Sequence, residues 1–317
     1  MTHRRYIVLI LVILAVCVLA RPVSAYWIWT PGDGKWENPK YAAKDTPEEQ
    51  LAYAMGFYEE KNTKAGMREF KKLIKHYPLS KEAPTAQYYI GRILEDLDKP
   101  YAAFKAYQNV IDSYPYTEFV DEVIEREFNL GALFLEGKKF EVLGPLKVPA
   151  KDKAIEIFKA VADNSPYGKY ADRAVYNAGL CYKDIIDYDS AILMFKEVMD
   201  KYPDSELVDS ARYELAECSK LLSLKPDYDQ TPTKVAREEF EKFIEKHPED
   251  AMSGEARQII GKLKHREAEN AYGIGQFYES RRMYKSAAIY YRDIVENYPD
   301  TEWAGKAQER LNAIENK

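Results

Sequence analysis

The chain has 317 residues, of which 46% are hydrophobic and 31% are charged, a balance that indicates a folded protein and excludes a largely disordered one. Its formal net charge is −6, so its surface repels phosphate backbones and nucleic acid is not expected as a partner. With three cysteines and four histidines, the chain has little material for a metal site or a disulfide scaffold, and no cofactor is expected.

The first 25 residues have the pattern of an export signal. Two arginines precede a 15-residue apolar run, Tyr6–Ala20, which is shorter than the roughly 20 residues that a membrane-spanning helix needs. The sequence Val23-Ser24-Ala25 then predicts cleavage after Ala25. Two alternatives are a lipoprotein cut before Cys17 and a retained N-terminal anchor. All three predict an exported protein, in the periplasm or at the periplasmic face of the outer membrane.

Residues 26–47 form an aromatic segment before the first repeat. They hold three of the four tryptophans, Trp27, Trp29 and Trp36, on both sides of the turn sequence Pro31-Gly32-Asp33-Gly34. Turn residues between aromatic flanks predict a short hairpin. Its role is open between docking a partner and covering the exposed end of the first repeat.

From residue 48 to the end, the sequence repeats. Six prolines recur at intervals of 37 to 51 residues, and each follows a very small residue by twelve positions, an aromatic residue by eight and an apolar residue by five. These three positions lie on one face of a helix, because they differ by four and three. The prolines are Pro78, Pro115, Pro166, Pro203, Pro248 and Pro299.

Each proline-terminated helix has a partner upstream, which carries a small residue and, three positions later, usually a bulky one, such as Gly179 and Tyr182. A small residue lets two helices approach closely. Extra residues around 138–149 and 224–231 are predicted as loops. The expected fold class is all-α, a right-handed α-solenoid of about six helix pairs over residues 48–317 with a C-terminal capping helix. The predicted helices are 48–60, 64–76, 82–97, 100–113, 118–136, 151–164, 168–184, 188–201, 205–222, 232–246, 252–281, 284–297 and 302–315.

The unit ending at Pro203 resembles the tetratricopeptide repeat. The resemblance rests on Val175-Tyr176-Asn177-Ala178-Gly179, followed by Tyr182, Ala191 and Phe195, and similar units cover about 270 residues. Cys181 stands where that repeat usually has alanine, and Cys218 occupies the equivalent place 37 residues later. The spacing is therefore a repeat period, and both cysteines are predicted to be free, buried thiols.

The resemblance also implies a binding surface, because the first helices of tetratricopeptide pairs line a groove that holds peptides or partner helices. Three positions before each small residue of the first helices, an aromatic side chain recurs in five of six units. We call these five residues the aromatic row and predict that they bind a partner; the alternative is that they pack between units. The row is Tyr88, Phe128, Tyr176, Tyr213 and Tyr272, and Leu51 holds the place in the first unit.

A narrower resemblance covers Ala268–Leu311, which is similar to the C-terminal repeat of BamD-type outer-membrane assembly lipoproteins. It implies a non-enzymatic adaptor that assists β-barrel assembly, docks on a barrel-forming subunit, and contacts the membrane through partners or an N-terminal anchor. A periplasmic repeat scaffold for envelope division or polysaccharide export is the alternative. No residues with catalytic or zinc-site spacing stand out, so no catalytic, cofactor-binding or metal residue is predicted.

Overall fold

The computed structural model describes residues 28–30, 35–37, 42–143, 146–222 and 230–314. The predicted cleavage site and Cys17 lie outside these residues. The described part contains thirteen α-helices and two short β-hairpins, so the predicted all-α fold class is confirmed. The helices are α1 Pro47–Glu59, α2 Thr63–His76, α3 Ala83–Asp96, α4 Pro100–Ser113, α5 Val120–Leu135, α6 Lys151–Asn164, α7 Ala171–Asp184, α8 Tyr188–Lys201, α9 Val208–Leu222, α10 Thr231–Lys246, α11 Ala251–Ser280, α12 Tyr284–Asn297 and α13 Glu302–Ile314.

All thirteen predicted helices are present, with ends at most three residues from the predicted ones. The largest differences are at α7 and α9, which begin three residues later than predicted. Turns after the preceding prolines take up these residues: the Ala171 amide donates to the Gly168 carbonyl, and the Val208 amide donates to the Ser205 carbonyl. The chain must reverse direction there before a new helix can begin.

The helix pairs pack as the repeat pattern predicts. All residues at the three periodic positions before the six prolines are buried, including the largest rings, Tyr107 and Tyr291. A Cβ atom added to Gly131, Gly179 or Gly275 would lie 2.8, 2.7 or 2.6 Å from a ring carbon of the paired helix. In these three helix pairs, the first helix lies so close to the second that a methyl group on the glycine would not fit unless the facing ring moved.

Burial also explains the two cysteines of the repeats. Cys181 and Cys218 are free and completely buried, as predicted. Burial raises the pKa of each thiol to about 12. The thiolate, which is the reactive form, is therefore scarce at neutral pH, and both residues act as small core side chains.

Two hairpins accompany the helices, one before α1 and one between α5 and α6. Ile28–Thr30 (β1) pairs antiparallel with Lys35–Glu37 (β2), and Trp29 is the register partner of Trp36, which confirms the predicted hairpin. The loop predicted at residues 138–149 is wrong in part, because Lys139–Leu143 (β3) pairs with Leu146–Pro149 (β4). Apolar and polar residues alternate on both sides of Gly144-Pro145, which is a strand signal. The loop prediction rests on the proline, glycine and charged residues of this stretch, although in the sequence pattern Gly144 and Pro145 are the turn between two strands. Most of the other predicted loop, 224–231, lies outside the described residues.

The backbone divides into two compact units, Met1–Ile93 and Leu94–Lys317. In the first unit, α1 packs against α2; in the second, each helix from α4 to α13 packs against the next. The second unit is therefore a stack of helical repeats. None of the described helices combines the length and the apolar character that crossing a membrane requires.

Candidate functional site

The aromatic row is part of the packing within the helix pairs. In the second unit, each of its rings lies beside the aromatic ring that precedes the next proline by eight residues. The ring centroids are 5.3 to 5.6 Å apart in the pairs Phe128–Phe158, Tyr176–Phe195, Tyr213–Phe240 and Tyr272–Tyr291. Such distances are typical of favourable aromatic pairs, so these contacts help to hold first and second helices together.

The row differs along the chain in how much of it reaches the surface. Tyr88, Phe128 and Tyr213 are 3%, 5% and 7% exposed, whereas Tyr176 and Tyr272 are half-buried. Burial raises the pKa of Tyr176 and of Tyr213 to about 12. Three of the five rings are therefore buried away from any partner, and partner binding by the row stays a prediction.

Around Tyr272, the row opens into a groove of about 1020 Å³ that is lined by α11 and α13. We call it the α11–α13 groove. Helix α11 contributes Tyr272, Gln276 and Phe277, and α13 contributes Trp303 and Lys306. A volume of this size is at the upper end of the range for ligand-binding clefts, and it suits a segment of a partner chain.

Glu279 ties the two helices that line the groove, α11 and α13, to each other and to α12. Its carboxylate on α11 accepts a hydrogen bond from the Tyr291 hydroxyl on α12 at 2.9 Å and one from Arg310 Nε on α13 at 3.0 Å. Burial, and then Glu279, raises the pKa of the Tyr291 hydroxyl above its ordinary value. Gly275 completes the arrangement, because its missing side chain admits the Tyr291 ring.

The groove presents aromatic surface with cations above it. The rings of Tyr272 and Trp303 are 5.1 Å apart, and Lys306 Nζ lies 4.0 Å from the Trp303 ring. Phe277 is 49% exposed, with the Arg281 guanidinium 4.1 Å from its ring. Exposed aromatic rings beside Arg are typical of protein-binding surfaces. Among the described residues, no group of three His, Cys, Asp or Glu side chains could hold a metal ion.

The repeat pattern predicts Tyr272 as part of a binding row but does not predict the rest of the groove. Phe277 lies outside the periodic positions, and Trp303 and Lys306 belong to the last helix, which has no partner helix in the repeat pattern. The available signal was Trp303 itself, the one tryptophan outside the N-terminal segment. A large aromatic residue in an otherwise polar terminal helix favours either a core or a binding role.

Comparisons with known proteins cover this part of the chain. Residues 145–317, which include the whole groove, match the YfiO family of outer membrane lipoproteins, and residues 85–115 match the tetratricopeptide repeat. The outer membrane protein assembly factor BamD of Vibrio cholerae serotype O1 (strain ATCC 39315 / El Tor Inaba N16961) is 31% identical over 83 residues, which are 26% of this chain and 34% of that protein. The chain thus spans about a third of the length of this relative.

Solved structures of repeat proteins are also similar. A tetratricopeptide repeat protein from Parabacteroides merdae is 15% identical with a TM-score of 0.35, over 84% of this chain and 98% of that one. MamA from Desulfovibrio magneticus RS-1 is 18% identical with a TM-score of 0.33, over 66% of this chain and all of that one. The family assignment rests on the match to residues 145–317, which extends over more than half of the sequence. This chain, an array of tetratricopeptide-like helix pairs, therefore belongs to the YfiO family of outer membrane lipoproteins.

Proposed function

We propose that this chain is a non-enzymatic adaptor of the bacterial cell envelope, which binds protein partners and assists the assembly of outer membrane proteins. The observation that carries the proposal is the family match over residues 145–317, the same part of the chain that forms the α11–α13 groove. The local identity to an outer membrane protein assembly factor supports it. Its expected place is the periplasm or the periplasmic face of the outer membrane.

The groove is the proposed site for a partner segment, such as a helix or an extended stretch of a barrel-assembly subunit. Tyr272 joins the row to this site, while the buried rings of Phe128 and Tyr213 keep the helix pairs together. Aromatic rings suit the task because they offer a large contact area at low cost in conformational entropy. Arg281 favours a partner with carboxylates or carbonyl oxygens beside its apolar residues, whereas Lys306 pairs with Glu302 at 3.1 Å.

We expect Phe277→Ala to lower partner capture at least tenfold in an affinity pull-down from native envelopes, with no change in melting temperature. Phe277 is half exposed in the groove, so truncation removes contact area without emptying the core. Ile289→Ala is the matched control, since Ile289 is 64% exposed on α12 and does not line the groove.

Two results of the pull-down would contradict the proposal. If Phe277→Ala captures partners as well as the wild type does, the groove is not the binding site. If the captured proteins belong to envelope division or polysaccharide export and include no barrel-type outer membrane protein, the assembly role is wrong and the scaffold alternative holds.

The N-terminus gives a separate test of location. We expect the exported protein to begin at Tyr26 and to carry no lipid, because the Val23-Ser24-Ala25 sequence suits signal peptidase. Intact mass spectrometry of the protein purified from the envelope measures this directly. An acylated species that begins at Cys17 would refute the predicted cleavage and establish a lipid anchor instead.

A further inference from the structure

One face of α2 carries a straight row of positive charges. The residues are spaced by four, three and four positions, so they lie above one another along about 16 Å of the helix. All are exposed, and the residues that α2 buries, including Phe70 and Leu73, lie on its opposite face. We call this set the α2 basic row: Lys64, Arg68, Lys71 and Lys75.

The other repeats show that this charge is not a general property of the fold. At the four equivalent positions, each of the other five proline-terminated helices carries at most two basic residues. The place of Lys75, three before the proline, is acidic in all of them. These acids are Asp112, Asp163, Asp200, Glu245 and Glu296.

The charges of the row are available to a partner. Among the described residues, Lys64, Lys71 and Lys75 have no ion-pair partner. Arg68 Nε lies 2.8 Å from Glu69, but that buried carboxylate also pairs with Lys72 at 2.7 Å, and the Arg68 side chain stays 58% exposed. Helix α2 therefore presents a net positive charge to solvent.

Charge is divided unevenly along the chain. Residues 26–93 contain eleven Lys or Arg against nine Asp or Glu, whereas residues 94–317 contain 32 against 43. An anionic surface would therefore attract the first part and repel the second. Residues 26–47, directly before α1, also hold Trp27, Trp29 and Trp36, and tryptophan favours the interface between a bilayer and water.

We propose that the α2 basic row binds the anionic headgroups of a phospholipid bilayer and holds the first part of the chain on the membrane surface. A cluster of four Lys and Arg residues on one exposed helix face attracts anionic lipid headgroups electrostatically, and this does not require the buried apolar face of α2 to leave the core. This contact is direct, in addition to any made through partners or an N-terminal anchor.

The test is sedimentation of the full-length exported protein with phosphatidylcholine vesicles, with and without phosphatidylglycerol, at low and high salt. The variant Lys64→Gln/Lys71→Gln/Lys75→Gln should bind the anionic vesicles roughly a hundredfold less than the wild type at low salt. High salt should remove most of the difference. An anchor, if present, contributes equally to wild type and variant.

The matched control is Lys159→Gln/Lys196→Gln/Lys262→Gln, which removes the same charge from exposed lysines of the second unit. It should bind like the wild type, and all variants should have unchanged circular dichroism. Equal binding of the α2 variant and the wild type, or an equal loss in the control, would overturn the proposal. So would capture of the wild type by a poly-glutamate peptide but not by anionic vesicles, which would point to an acidic protein segment instead.

Discussion

Gly179→Ala should lower the free energy of unfolding by about 1–3 kcal/mol, although alanine is the better helix former. The added Cβ would lie 2.7 Å from Cε1 of Phe195, and that ring is completely buried. The ring itself is held by Tyr176, 5.6 Å away, so it cannot turn aside without disturbing the next contact. Either α7 and α8 separate or the ring leaves its preferred conformation, and both cost packing energy.

The matched control is the same substitution at Gly261, on the exposed side of α11, where an added Cβ would meet nothing within 4 Å. At Gly261 only the higher helix propensity of alanine acts, so the free energy of unfolding should rise by about 0.5–1 kcal/mol. Urea denaturation of both variants measures the two changes. Opposite signs are expected, and a gain or no change at Gly179 would show that α7 and α8 do not pack as closely as the structure has them.

The repeat pattern predicted what depends on one helix and its immediate partner. The buried positions before each proline and the glycines against the rings follow from periodicity, because helical spacing alone decides which residues share a face. The close contact of Gly275 with Tyr291 is such a case. The helix ends before the prolines were predicted on a different local ground, because proline cannot continue a helix.

Exposure along the aromatic row could not be predicted in the same way. Phe128 and Tyr272 hold equivalent places, but Phe128 is covered by Tyr170, whose ring lies 5.0 Å away, while Tyr272 borders the groove. Tyr170 precedes α7, and the groove needs Trp303 from α13, so both differences come from residues far away in sequence. Periodicity holds no information on such contacts.

Glu127 is a second feature that no local pattern predicts, and it gives the other large expected effect. Its side chain is completely buried on α5, and Gln108 Nε2 on α4 donates to both carboxylate oxygens at 2.8 Å. Burial raises the pKa of this carboxyl to about 8; the hydrogen bonds from Gln108 lower it, and the negative charge of Asp112 raises it further. A buried glutamate of this kind keeps its proton at neutral pH.

The wild-type chain should therefore lose stability as pH rises from about 4.5 to about 8. Below this window, Glu127 is protonated in both the folded and the unfolded state and contributes nothing. Within it, the unfolded chain releases the proton while the folded chain retains it, so unfolding becomes more favourable with each pH step. Above it, both states are ionised and the penalty stays at its maximum, at most about 5 kcal/mol at 1.36 kcal/mol per pKa unit.

Glu127→Gln should abolish this part of the pH dependence, because glutamine has the same shape and cannot ionise. The variant should match the wild type near pH 4.5 and exceed its free energy of unfolding by about 2–5 kcal/mol above pH 8. Urea denaturation across this pH range measures the difference. Glu125→Gln, which removes an exposed acid two positions earlier on α5, should change stability by less than about 0.5 kcal/mol at any pH. If wild type and Glu127→Gln trace parallel curves, Glu127 is ionised in the folded chain, and the packing of α4 against α5 must admit water to its carboxylate.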